Sequence, residues 1–180
     1  MAKIGVRKMF YAVYSADGTY TGGAQFGKIS TFNFTPANSS VKDYGDDVVA
    51  EVANEMSGGT LSIEANQLTL SERATLLGHT YSSADGIVVK ADDQAPYVGV
   101  GAIAVEMVSG TKAYVGKVYH KLMFKEPNDD NATKQENVAF AHTTLEADVV
   151  PQTDYTISAA QSFETEAAAV TWIKGLLDIT

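Results

Sequence analysis

Apolar and polar positions alternate with a period of two along most of this chain. In AYVGKVYHKLMF, residues 113–124, Tyr114, Val118, Leu122 and Phe124 share one parity, and Val115, Lys117, Tyr119 and Lys121 the other. That alternation predicts a strand with one largely apolar face. His120 has the parity of Tyr114 and Leu122 and is expected to be partly buried. In TLSIEANQLTL, residues 60–70, Leu61, Ile63 and Ala65 fall on one face, and Thr60, Ser62, Glu64 and Asn66 on the other. FNF at 32–34 and VAFAHTTLE at 138–146 repeat the pattern less regularly.

Two segments break to a helical period. SERATLLG, residues 71–78, begins with Ser71, a good N-cap residue, and ends on Gly78. TEAAAVTWIKGLLDI, residues 165–179, has Thr165 as its cap and Glu164 and Glu166 at its positive end. Val170, Ile173 and Leu177 make its apolar stripe. Turn signals fall at ADG 16–18, SGG 57–59, ADG 84–86, SG 109–110 and PNDDN 127–131. The pattern predicts one mainly β domain over residues 1–180, a sandwich or barrel with flanking helices, one of them C-terminal.

APYVGVGAIAV, residues 95–105, contains G-x-G-x-x-A, the letters of a dinucleotide-binding turn. That turn must lead from a strand into a helix whose N-terminus faces the pyrophosphate. Here AIAVEMVSG follows, which favours strand, so no nucleotide site is expected. Neither parity of 97–107 is convincingly polar, so this strand should be covered on both sides. The second cover is either the C-terminal helix or a neighbouring subunit. Tyr97, Gly99, Gly101 and Ile103 are the candidate inter-subunit positions, with the glycines permitting close approach.

Composition narrows the function. The chain has 180 residues, 45% of them apolar, and no cysteine, which excludes disulfides and thiol chemistry. Its net charge of −9 argues against ordinary nucleic-acid binding, which needs a basic footprint. The N-terminal MAKIGVRKMF lacks the apolar core of a signal peptide. No apolar run reaches the roughly 18 residues of a membrane helix. His79, His120 and His142 show no metal-ligand spacing, and NDDNATKQE at 128–136 lacks the glycine and terminal glutamate of an EF-hand. No G-x-S-x-G, Walker A or zinc-protease motif is present. Neither an enzyme, a metal nor a cofactor is expected.

One stretch is unusual. YGDDVVAEVANEMSGGTLSIEA, residues 44–65, carries Asp46, Asp47, Glu51, Glu55 and Glu64 and no Lys or Arg. It reads as two strands joined near Ser57-Gly58-Gly59, with Glu51 and Glu55 on one side and Glu64 near them from the partner strand. Like charges gathered on a sheet cost stability.

The order of segments resembles the major tail proteins, or tail tube proteins, of long-tailed bacteriophages, especially those of Gram-positive hosts. The resemblance runs from KIGVRKMFYAVYSADGTY through YGDDVVAEVANE, SERATLLG, APYVGVGAIAV and AYVGKVYHKLMFKEP to TKQENVAFAHTTLEADV and ETEAAAVTWIKGLLD. It implies a β-sandwich-like subunit with a C-terminal helix and a long hairpin arm. Six such subunits form a ring, and rings stack into a hollow tube that DNA traverses without specific binding. The implied partners are the chain itself and the tape measure, tail-tip and tail terminator proteins, with no membrane. The implied place is the virion tail, assembled in the host cytoplasm. Asp46, Asp47, Glu51, Glu55 and Glu64 become candidates for the lumen wall or the ring-joining arm. No immunoglobulin-like extension is expected after the closing helix. The other readings are a monomeric β-sandwich module binding carbohydrate or a cell-surface ligand, and a hydrolase that no motif supports. Tyr114 and Tyr119 have opposite parity, which does not favour an aromatic binding platform.

Overall fold

A computed structural model describes residues 2–15, 18–45, 48–129 and 142–180, and of residues 43–45 and 48–51 the backbone only. The strands are β1 (Ala2–Tyr14), β2 (Tyr20–Gln25), β3 (Ile29–Gly45), β4 (Val48–Ala65), β5 (Thr80–Ser82), β6 (Gly86–Val88), β7 (Val98–Val108), β8 (Thr111–Phe124), β9 (Thr143–Val149) and β10 (Ser158–Phe163). The helices are α1 (Leu70–Leu77) and α2 (Glu166–Leu176). One antiparallel sheet runs β2-β1-β7-β8-β9-β4-β3, with β10 also paired to β8, and β5 and β6 form a separate hairpin.

The large sheet divides along β8. Residues 114–119 of that strand pair with β10, whereas Leu122, Met123 and Phe124 pair with β9. Between these stretches the β7–β8 register slips: Val100 lies opposite Tyr119, but Val98 lies opposite Leu122. A bulge of this kind bends its strand and reverses side-chain parity. The single apolar face expected for residues 113–124 is therefore two half-faces. Tyr114 and Val118 pack outward beneath α2, while Tyr119, Leu122 and Phe124 pack inward.

The inward core lies between β1, β7 and β8 on one side and β3, β4 and β9 on the other, in a sandwich-like arrangement. Leu61, Ile63, Val98, Val100, Leu122 and Leu145 are fully buried there, and Leu76 and Leu77 of α1 close one end. Phe32 and Phe34 reach across the layers to Tyr119, with ring centroids 5.8 and 4.8 Å away. The Leu61–Ile63–Ala65 face reads in structure as it does in sequence.

α2 lies on the outer face and builds the second core, with Ala169, Ile173 and Leu177 against Phe10, Ile103 and Val118. Its floor is made of glycines. A Cβ on Gly101 would stand 2.5 Å from Ile173 Cγ2, and one on Gly116 2.8 Å from the Trp172 ring. On Gly99 a Cβ would stand 2.4 Å from the Tyr20 ring and 2.7 Å from Leu177 Cδ2. The G-x-G letters thus serve helix-on-sheet packing. Of the two covers considered for β7, the chain's own helix lies over Gly99, Gly101 and Ile103, while Tyr97 stays partly exposed.

Thr165 caps α2 as expected, accepting from Ala168 N at 3.3 Å. α1 starts earlier than the sequence suggested. Its cap is Thr69 rather than Ser71, because Thr69 and Glu72 close a reciprocal capping box: Glu72 N donates to Thr69 Oγ1 and Thr69 N donates to Glu72 Oε2. Gly78 ends the helix in the left-handed conformation.

Candidate assembly surfaces

β3 and β4 stay paired far beyond the body. β9 accompanies β4 only over Gly59–Ala65, whereas the β3–β4 ladder continues to Gly45 opposite Val48. Beyond Gly58, among the described residues, β3 and β4 form a two-stranded ribbon with no third strand, roughly 30 Å long at about 3.4 Å per residue. Residues 36–42 and 52–57 are exposed on both faces. Val41, Val52 and Met56 are 65%, 51% and 47% exposed. Register places Lys42, Val52, Asn54 and Met56 on one face and Ser39, Val41, Ala53 and Glu55 on the other. An isolated two-stranded ribbon is marginal in water. Apolar side chains are exposed on both of its faces.

Ser57-Gly58-Gly59 is therefore not the hairpin turn that the sequence suggested. β4 runs through it without interruption, and Ser57 is an extra residue in the ladder, since Ala37 pairs with Gly58 and Asn38 with Met56. Gly58 has φ +141°, and a Cβ there would meet Val149 O at 2.3 Å. The glycine allows the strand to leave the body where β9 ends.

The acidic residues separate accordingly. Glu55 is exposed on the ribbon and Glu51 stands in register with Asp43. Asp46 and Asp47 lie outside the described residues. Glu64 is not on a partner strand near them. It is on the same strand at the body end, between Thr31 and Thr144, with Oε1 2.9 Å from His142 Nδ1. The hydrogen bond from His142 holds the Glu64 carboxyl below its ordinary value.

Each described histidine is engaged by the fold. His120 is buried, and its Nδ1 lies 3.2 Å from the Tyr20 hydroxyl, which donates to His120 O at 2.8 Å. Burial lowers the His120 pKa against the opposing pull of Asp154, so the ring is neutral near pH 7. His79 has Nδ1 2.8 Å from Asp93 and Nε2 2.8 Å from Glu126, which also pairs with Arg73. This network ties the end of α1 to the segment before β7 and the exit of β8. Sequence reasoning missed it because the partners are 14 and 47 residues away.

Burial alone lowers the His79 pKa, but its two carboxylate hydrogen bonds outweigh that and raise it. Asp93 is lowered by the Lys90 backbone N–H and by His79. Glu126 is pushed up by partial burial, then held lower overall by Arg73 and His79. The His79 contribution is full below its unfolded pKa of about 6.5 and is lost as pH rises through the raised folded value. The carboxylate contributions are full above about pH 4 and are lost as pH falls through their lowered values. The Tm penalty of His79→Gln is therefore expected to be largest between about pH 4.5 and 6.5 and to shrink in alkali. Calorimetric scans of both proteins from pH 4 to 10 check this, and a penalty that grew with pH would contradict it.

Two further surfaces stand open. Among the described residues, β2 pairs only with β1 and β10 only with β8, so each has one edge with no strand beside it, although Tyr20 N at the start of β2 donates to Asp178 Oδ2 at 3.0 Å. A groove of about 200 Å³ opens where β1 approaches β3, lined by Lys3, Val6, Phe32, Ala102, Ala104 and Lys117. No group of three or more metal-ligating side chains is gathered among the described residues. No helix among them is long and apolar enough to cross a membrane.

The described residues thus form a β-rich body with edge strands at β2 and β10 and a projecting two-stranded ribbon. Residues 8–172 match the family model of the phage tail tube protein, and the chain belongs to that family. No curated protein matches the sequence. The family makes the chain a structural component of the virion tail, one that assembles with itself and with other tail components. It is not a family of enzymes.

Proposed function

We propose that this chain is the repeating subunit of the tail tube, closing into hexameric rings that stack around a channel for DNA. The observation that carries this reading is the ribbon, whose two faces have no cover among the described residues. A second copy supplies one. The open edges of β2 and β10 suit head-to-tail pairing between neighbours, and a closed ring leaves no such edge open. Six subunits at −9 each would bring about −54 to a ring, so that a polyanion is repelled from the assembly as a whole. Tape measure, tail-tip and tail terminator proteins are the other partners of this reading, with assembly in the host cytoplasm. Tyr114 and Tyr119 lie in separate cores on opposite faces, which counts against the carbohydrate-binding alternative.

Glu51 and Glu55 belong to the arm, so we assign them to contacts between rings rather than to the lumen wall. Asp46 and Asp47, next to them in sequence, go with that assignment, and Glu64 at the body end does not. The double variant Glu51→Lys with Glu55→Lys is expected to keep the subunit Tm and to lose tube polymerisation. Normal tubes from that variant would remove these carboxylates from the ring junction.

Negative-stain electron microscopy over a concentration series, with solution mass measured in parallel, tests the whole reading. Rings or hollow tubes with a central channel are expected. A monomer that stays inert after a tail-tip complex is added would overturn it.

A further inference from the structure

Tyr155 is the most exposed large hydrophobic side chain among the described residues, at 87%. It also has φ +64°, the left-handed region that a bulky residue enters only at a cost. Yet the turn that carries it is ordered. Tyr155 N donates to Gln152 O at 3.0 Å, Gln152 N donates to Thr156 O at 2.9 Å, and Thr156 N donates to Asp154 Oδ1 at 3.0 Å. Gln152 Nε2 also donates to the hydroxyl of Tyr20, which is bonded to buried His120. A strained backbone thus holds an aromatic ring out in water on a hydrogen-bonded turn. Among the described residues, no packing of the ring repays either cost.

The groove between β1 and β3 has the complementary chemistry. Val6, Phe32, Ala102 and Ala104 offer apolar surface beside the polar Ser30, Thr31 and Asn33, and the volume is ample for a phenol ring with its hydroxyl among polar groups. Lys3 and Lys117 place two cations on its walls, matching the Asp154 carboxylate beside Tyr155 and able to lie over an aromatic face. Tyrosines in fully covered pockets are common anchors of interfaces. The knob stands beyond the Ser158 end of β10, whereas the groove lies farther along the sheet, at Lys117 and Ala104. Knob and groove are different patches, so a contact between them is heterologous and propagates around a ring.

From this we propose that Tyr155 of one subunit docks into the Lys3–Phe32–Lys117 groove of a second copy of this chain. This interface rests on the assembly reading above. It adds a lateral anchor that is separate from the arm and from the sheet edges.

The chain has no cysteine, which makes the test direct. Asp154→Cys and Lys3→Cys, which sit at the rim and leave the Tyr155 ring in place, are prepared as two separate proteins, mixed, assembled and oxidised. Cross-linked pairs containing one of each chain are expected from the mixture, and from neither protein alone. Tubes that form without that cross-link would overturn the proposal. So would a Lys3→Cys chain that cross-links instead to Ser40→Cys on the arm.

Tyr155→Ala is expected to raise the concentration needed for assembly by at least about tenfold. Tyr155→Phe, which keeps the ring, should assemble nearly as the parent does. Tyr155→Gly relieves the backbone and should match or exceed the parent Tm, separating docking from folding. If Tyr155→Ala assembles at the parent concentration, the knob is not an anchor. If the parent itself never assembles, the tube reading fails, not this interface alone.

Discussion

Excising residues 38–57 and joining Ala37 to Gly58 through an Asn-Gly turn is expected to give a folded subunit that makes no tubes. Neither buried cluster contains a residue of that stretch, and its described side chains are exposed throughout. The ribbon therefore adds little to the stability of the body, and the Tm should change by no more than about 3 °C, the effect of roughly 1 kcal/mol at this chain length. Assembly should fall below detection, because the excision removes Val41, Val52, Met56 and Glu55 together. Calorimetry and electron microscopy on one preparation separate the two effects. A large fall in Tm would make the ribbon part of the folding unit, and tubes of normal length would deny it any role in stacking.

The second large effect concerns the glycine floor under α2. Ile173 is fully buried, so Ile173→Ala should cost about 2–5 kcal/mol. Gly101→Ala drives a methyl group to 2.5 Å from Ile173 Cγ2 and should cost about 1–3 kcal/mol through overpacking. The two changes are complementary in volume. In the double variant the new methyl enters space that the isoleucine has left. Its total cost should fall short of the sum by at least about 1 kcal/mol, a coupling typical of residues in contact. Urea denaturation of the four proteins closes the cycle. Simple additivity would mean that α2 does not press on β7 at this point. The same result would weaken the packing explanation of the G-x-G letters.

Secondary structure was legible in the sequence where one local pattern decided it. The Leu61–Ile63–Ala65 face, the Thr165 cap and the turn at Ser109-Gly110 all follow from neighbours within a few residues. The two-sided burial of β7 was legible as well, because both of its parities are apolar. Other features fail on local evidence for identifiable reasons. Ser57-Gly58-Gly59 carries the letters of a turn, yet Gly58 is set by the Val149 carbonyl, and no local pattern reports a contact 91 residues away in sequence. The β8 alternation reads as one face because a bulge between Tyr119 and Leu122 leaves no compositional mark. The expected neighbourhood of Glu64 with Glu51 and Glu55 depends on that turn and disappears with it.

For the candidate surfaces, the sequence by itself determined that residues 44–65 are acidic and that the whole chain is negative, since charge is additive and needs no fold. It also determined the alternating pattern that commits the chain to sheet, and an order of segments that resembles the tail tube family. The tertiary structure decided where those charges stand and which surfaces remain uncovered. β9 ends at Gly59 and so turns the rest of β3 and β4 into an arm, and the approach of β1 to β3 opens the groove beside Lys117. Each of these depends on where one distant strand stops against another. Side-chain periodicity records which way a residue faces, but not how far its neighbours extend.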